Sequence, residues 1–136
     1  MDKEMYKDIR GIEKFFEHFP DKPWHYFHEI IEFRWYREFD YEEWYNRFYI
    51  NLVMSDREGK DIVSFLFKDV SGSCHMDFCG WMAGFDIVNL KYIDVNHETR
   101  YEIMDFEDSD LHFFCSDIEI KVLSVNWKDQ AECSKE

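Results

Sequence analysis

Apolar residues recur at helical spacing near the start of the chain. Met5, Ile9, Ile12, Phe16 and Phe19 share one face, with Lys, Asp and Glu between them. That period predicts an amphipathic helix over 4–18. Gly11 weakens it slightly, and Pro20 and Pro23 end it. From Phe27 the period shortens to two. Residues 27–37 set Ile31, Phe33 and Trp35 against Glu32, Arg34 and Tyr36, the signature of a half-buried strand. The acidic run 40–43 reads as a turn or a single helical turn. Residues 45–55 form a second strand, with Phe48, Ile50, Leu52 and Met54 on one face. Residues 62–68 form a third, with Val63, Phe65 and Phe67 on one face. Between them stands Asp56-Arg57-Glu58-Gly59, a turn sequence because glycine takes positive φ without steric cost. The pair is therefore expected to be a hairpin.

Residues 71–84 are less regular. They hold Cys74, Cys79, Trp81 and three of the five glycines, and read as a loop with a bulge. Strand signals return at 86–95, 100–106, 111–115 and 118–125. Residues 128–136 are polar and read as a frayed tail. One helix followed by about six or seven strands, with no helix between them, indicates an α+β fold with a mainly antiparallel sheet. Hairpin-length gaps favour a meander, strongly curved or half-barrel, with the N-terminal helix over one edge or face. The 136 residues are expected to form a single domain, 1–136, whose sheet spans about 27–125.

Composition adds a tension to that picture. The formal net charge is -14, yet the chain carries 14 Phe, 8 Tyr and 5 Trp. Acidic chains poor in aromatics stay unfolded, whereas this one has the material for a core. Its charge must then lie on a folded surface, where self-repulsion destabilises the compact state and a basic partner would relieve it. Residues 1–68 carry 11 basic and 15 acidic side chains, and residues 69–136 carry 5 and 15. The densest stretch, 94–119, has nine acids and one base, Arg100. Such a surface argues against nucleic acid or an anionic membrane as ligand. No apolar run is long enough to span a bilayer, and MDKEMYKDIR has no secretory apolar region. The expected compartment is the cytoplasm, with the four cysteines as reduced thiols.

Candidate chemistry is sparse. His25, His28, Cys74, His75 and Cys79 are of types that suit zinc. Cys74 and Cys79 have no matching second pair, so a ligand set would depend on the tertiary fold, and no metal or other cofactor is expected. Cys74 beside His75 is a poor nucleophile, because strand neighbours point apart and acidic surroundings raise a thiol pKa. No phosphate loop or hydrolase, kinase or dinucleotide signature is present. The acids Asp105, Glu107, Asp108 and Asp110 read as a solvated face that a basic partner could desolvate. Trp35, Tyr36, Tyr41, Trp44 and Tyr45, close to acids, could anchor an interface or take a partner's Arg and Lys by stacking.

Several short motifs occur in order: Phe27-His28-Glu29, Phe67-Lys68-Asp69-Val70, Gly84-Phe85-Asp86-Ile87, Tyr101-Glu102-Ile103 to Asp105-Phe106-Glu107, and Phe113-Phe114-Cys115 to Ile118-Glu119-Ile120. Over roughly 20–125 the chain resembles the small acidic immunity proteins encoded beside polymorphic toxins, including those of contact-dependent growth inhibition. The resemblance implies a non-enzymatic bacterial protein that binds and neutralises a cognate toxin domain, often a basic nuclease. Asp105, Glu107, Asp108 and Asp110 would meet its Lys and Arg groups, with Trp44 and Tyr45 as aromatic anchors. The competing readings are another acidic binding module, such as a DNA-mimic regulator, a small metal-dependent enzyme, or a cavity protein built on the aromatic sheet.

Overall fold

The computed structural model describes residues 3–20, 24–56, 59–74, 84–96, 99–105 and 111–124. The chain opens with a 3-10 turn, Lys3–Tyr6, and α-helix α1 spans Ile12–His18. The expected helix over 4–18 is therefore broken, and the reason is Gly11. Its φ is +85°, and a Cβ there would sit 1.9 Å from the carbonyl oxygen of Ile120. Before it, the Arg10 backbone behaves as a strand. Its N–H donates to Ile118 O at 3.1 Å, and its carbonyl accepts from Ile120 N at 2.7 Å. Ile9 and Ile12 still reach the core from either side of the break. Phe15 is fully buried, whereas Phe16, expected on the buried face, is partly covered.

A second 3-10 turn, Trp24–Tyr26, precedes eight strands among the described residues. These are β1 (Glu29–Asp40), β2 (Tyr45–Ser55), β3 (Ile62–Lys68), β4 (Ser71–Cys74), β5 (Phe85–Asn89), β6 (Tyr101–Asp105), β7 (Leu111–Cys115) and β8 (Asp117–Ser124). They form two antiparallel sheets with orders β1-β2-β3-β8 and β4-β7-β6-β5. The class is α+β, but the single curved sheet expected from the sequence is divided in two. The division falls at two adjacent bends. Asp69, at φ 61°, turns the chain from β3 into β4, and Ser116 turns it from β7 into β8. The bends are tied together by the Ser116 N–H, which donates to Lys68 O at 3.0 Å. Strands that change sheet through such bends make the corners of a two-layer fold. Because β3 pairs with β8 and β4 with β7 across this corner, the order is not a simple meander. Among the described residues β1 and β5, the outer strands, do not pair, so no barrel closes.

The two layers share one core. Phe65 of β3 meets Phe85 of β5 edge to face at 5.2 Å, and Phe67 meets Phe113 of β7 at 5.0 Å. Tyr6, Phe15, Phe19, Trp24 and Phe27 fill the side nearest the N-terminal segment. Of the expected β2–β3 turn the two ends are described, while Arg57 and Glu58 lie outside the described residues. Asp56 Oδ1 accepts from Lys60 N at 2.9 Å, with Gly59 at φ 72°. The strand expected over 86–95 stops at Asn89. Its side chain caps α2 (Leu90–Ile93) by accepting from Tyr92 N at 3.2 Å, and its amide donates to Met5 O at 3.0 Å. No described helix is long and apolar enough to cross a membrane.

Candidate functional site

The β1–β2 ladder runs from Glu29 opposite Ser55 to Asp40 opposite Tyr45, whereas β3 pairs only with Tyr49 to Ser55. Beyond the Val70 N–H bond to Phe48 O, residues 38–40 and 45–47 project past the sheet as a two-stranded ladder closed by the turn 41–44. An isolated two-stranded ladder is marginal in water, and this one is secured at its tip. The Asp40 carboxylate accepts from the N–H groups of Glu42 (2.9 Å) and Glu43 (3.0 Å) and from Arg47 Nε (2.7 Å). Asp favours such turns because its short side chain reaches the backbone two and three residues on. The Glu43 N–H and the Arg47 guanidinium hold its carboxyl below the ordinary value. Arg47 also bridges to Asp69 at 3.2 Å, so the tip is tied to the corner between the sheets.

The turn ends on Trp44, whose φ is 60°. This left-handed conformation costs a non-glycine residue about 1–2 kcal/mol. Trp44 is nevertheless 74% exposed and Tyr41 77% exposed. Phe39 lies edge-on to both, at 5.2 Å and 4.8 Å. Trp35, 57% exposed, stacks on Phe48 at 5.5 Å. On the opposite face Tyr36 stacks on Tyr49 at 5.1 Å, and Arg47 lies over the Tyr45 ring. Glu38, Glu42 and Glu43 are exposed among these rings. A shallow groove of about 410 Å³ is lined by Glu38, Phe39, Asp40, Tyr41, Glu42, Arg47 and Tyr49. Single exposed apolar residues are ordinary, but a contiguous aromatic patch with a polar rim is the form of an interaction site.

This arrangement corrects part of the sequence reading. Ile31 and Trp35 carry the apolar parity of a buried face but are exposed, and burial along β1 follows no simple alternation. A β-bulge at Ile30/Glu32 shifts the register, and in the far half of β1 Trp35 and Phe39 are left open to solvent. The role of Asp40 and Arg47 in holding the tip was not visible in the sequence. An Asp followed by two glutamates and a Trp at a strand end was the available signal.

The remaining candidates are dispersed. Trp44 and Tyr45 sit together at the hairpin tip. Asp105 ends β6 opposite Phe85, and its side chain, with Glu107, Asp108 and Asp110, lies outside the described residues. Of the acidic stretch 94–119, four described members are already engaged within the chain. Asp94 accepts from Asn96 N, Glu102 faces His112 at 2.8 Å, Asp117 pairs with Arg10 at 2.6 Å, and Glu119 with Lys68 at 3.5 Å. His28 is half-buried. The side chains of His25 and Cys74, and all of His75 and Cys79, lie outside the described residues. Among the described residues no three His, Cys, Asp or Glu side chains converge on a point that could hold a metal ion. Cys115 is buried in the core, which pushes its thiol pKa up, the opposite of an activated nucleophile. Comparison with known proteins returned no matching family model, no similar curated protein and no similar solved structure.

Proposed function

We propose that this chain is a non-enzymatic bacterial immunity protein that binds and neutralises a basic toxin domain, docking it on the aromatic end of the β1–β2 hairpin. The observation that carries the reading is the tip itself: Trp44 and Tyr41 exposed, the Trp44 backbone in a costly conformation, and the turn fixed by Asp40 and Arg47. Backbone strain that the surrounding structure over-determines is a marker of functional positions. Exposed Trp and Tyr are the residue types that dominate interface energies. The acids around them select a basic partner, and nuclease toxins are basic because they hold phosphates. Fixing the tip before contact reduces the ordering cost of binding.

In this reading Trp44 and Tyr45 are anchors. Asp105, Glu107, Asp108 and Asp110 supply charge that meets Lys and Arg and speeds encounter. The compartment is the cytoplasm of the producing cell, where the toxin must be intercepted. An interface of roughly 800 Å² per partner is the ordinary size. The test is to co-express the chain with the toxin domain encoded beside it, and to measure growth and the Kd of the purified pair. Neutralisation is expected. Trp44→Ala should weaken binding by about 2 kcal/mol, roughly thirtyfold. Undiminished affinity in Trp44→Ala would remove the hairpin tip from the interface. Failure to bind or rescue against any adjacent toxin would sink the immunity function.

A further inference from the structure

The first sheet has two edges, and they are treated differently. The outer edge of β8 is met at Ile118 and Ile120 by the Arg10 backbone. β1, the longest strand described, has no strand on its far side among the described residues. Natural proteins guard such edges with bulges and charge. The bulge at Ile30/Glu32 interrupts only the start of β1, and from Glu32 to Asp40 the strand pairs residue for residue with β2. The Asp40 carbonyl points inward, since it accepts from Trp44 N, whereas Phe48 O accepts from Val70 N on the β3 side. Arg37, opposite Phe48, therefore presents its backbone N–H and C=O to the open edge. By alternation Trp35 and Phe39 do the same.

We infer that this edge pairs antiparallel with the β1 strand of a second copy of the chain, with Tyr36 on the two-fold axis. In that register Arg34 stands opposite Glu38 of the second copy, Trp35 opposite its Arg37, and Phe33 opposite its Phe39, each pair occurring twice. Opposite charges, cation–aromatic and aromatic pairs are the favourable cross-strand combinations. Slips that keep each face in place move by two residues. A slip one way sets Glu32 against Glu38, and the other way sets Arg37 against Arg37. The like pair left in the chosen register, Glu32 with Asp40, involves a carboxylate already met by Arg47. A register centred on Phe33 would run through the bulge. Trp44, in the turn, stays off the paired edge, so the dimer leaves the hairpin tip accessible.

Sedimentation equilibrium of the full chain over a range of concentrations should show a species of twice the monomer mass. Arg34→Glu and Glu38→Arg should each weaken self-association by roughly tenfold or more. An equimolar mixture of these two variants should recover wild-type association, because in the mixed dimer the two introduced charges face each other with opposite sign, and the native Glu38 of one copy faces the native Arg34 of the other. Tyr36→Cys should form a disulfide through position 36 on mild oxidation, since facing residues on the axis lie within disulfide reach. A monomeric wild-type chain overturns the proposal, as does a dimer that neither charge variant weakens. Failure of both mixture rescue and position-36 crosslinking overturns the register. None of these measurements involves a toxin, so they stand apart from the immunity function.

Discussion

Trp44 shows most clearly how residue chemistry and backbone geometry oppose each other. Its left-handed φ favours Gly or Asn, while its ring contact with Phe39 favours Trp. Relief of about 1–2 kcal/mol of backbone strain and loss of about 0.5–1.5 kcal/mol of ring contact nearly cancel. Trp44→Gly should therefore shift the urea unfolding free energy by less than about 1 kcal/mol, while weakening toxin binding as strongly as Trp44→Ala. A large loss of stability would mean that Trp44 is structural. Asp40 gives the hairpin a pH dependence of known sign. Its folded pKa lies below the ordinary 3.8, first through the Glu43 N–H and then through Arg47. The folded state thus binds its proton less readily than the unfolded chain. The stability this contributes is complete above the ordinary value and is lost as pH falls through the depressed one. Tryptophan fluorescence of the tip should change in that acid range, and Asp40→Asn should remove that part of the transition.

At the scale of elements, β2, β3 and β7 lie where alternation and turn residues predict them. Their apolar faces are covered on one side by a second layer, the condition under which a period of two reads truly. The N-terminal helix and the end of β5 departed from prediction for local reasons. Gly11 takes a conformation that an apolar period does not reveal, and Asn89 caps a helical turn where β-branched neighbours suggested strand. Gly11→Ala should cost at least about 2 kcal/mol, because a left-handed Ala would also strike the Ile120 carbonyl. Thermal unfolding measures it directly, and a variant as stable as wild type would show that the Arg10–β8 contact can yield. The projecting part of the β1–β2 hairpin was invisible for a different reason. Strand lengths can be read along the chain, but the point where β3 stops accompanying β2 is set by the bend at Asp69.

At the scale of the whole molecule, the acidic charge divides into two parts. Asp117, Glu119 and Glu102 are paired with cationic or titratable side chains of the same chain, and surface pairs of this kind contribute little to stability. The unbalanced remainder acts at longer range. Reversal of Asp105, Glu107, Asp108 and Asp110 to Lys should slow toxin association and flatten its dependence on salt, with a smaller effect on dissociation. Stopped-flow association at several ionic strengths separates the two. An unchanged rate and salt slope would remove those four acids from the encounter.

Sequence alone determined the class of the fold, the β2–β3 hairpin and the supply of aromatic residues, because propensity, turn chemistry and periodicity are local properties. Tertiary structure decided which aromatics are covered. Phe33 and Trp35 carry the same alternation as Phe65 and Phe67, yet the second pair is fully buried and Trp35 is open to solvent. A period of two states which side a residue faces, and only the placement of the second sheet states whether anything lies there.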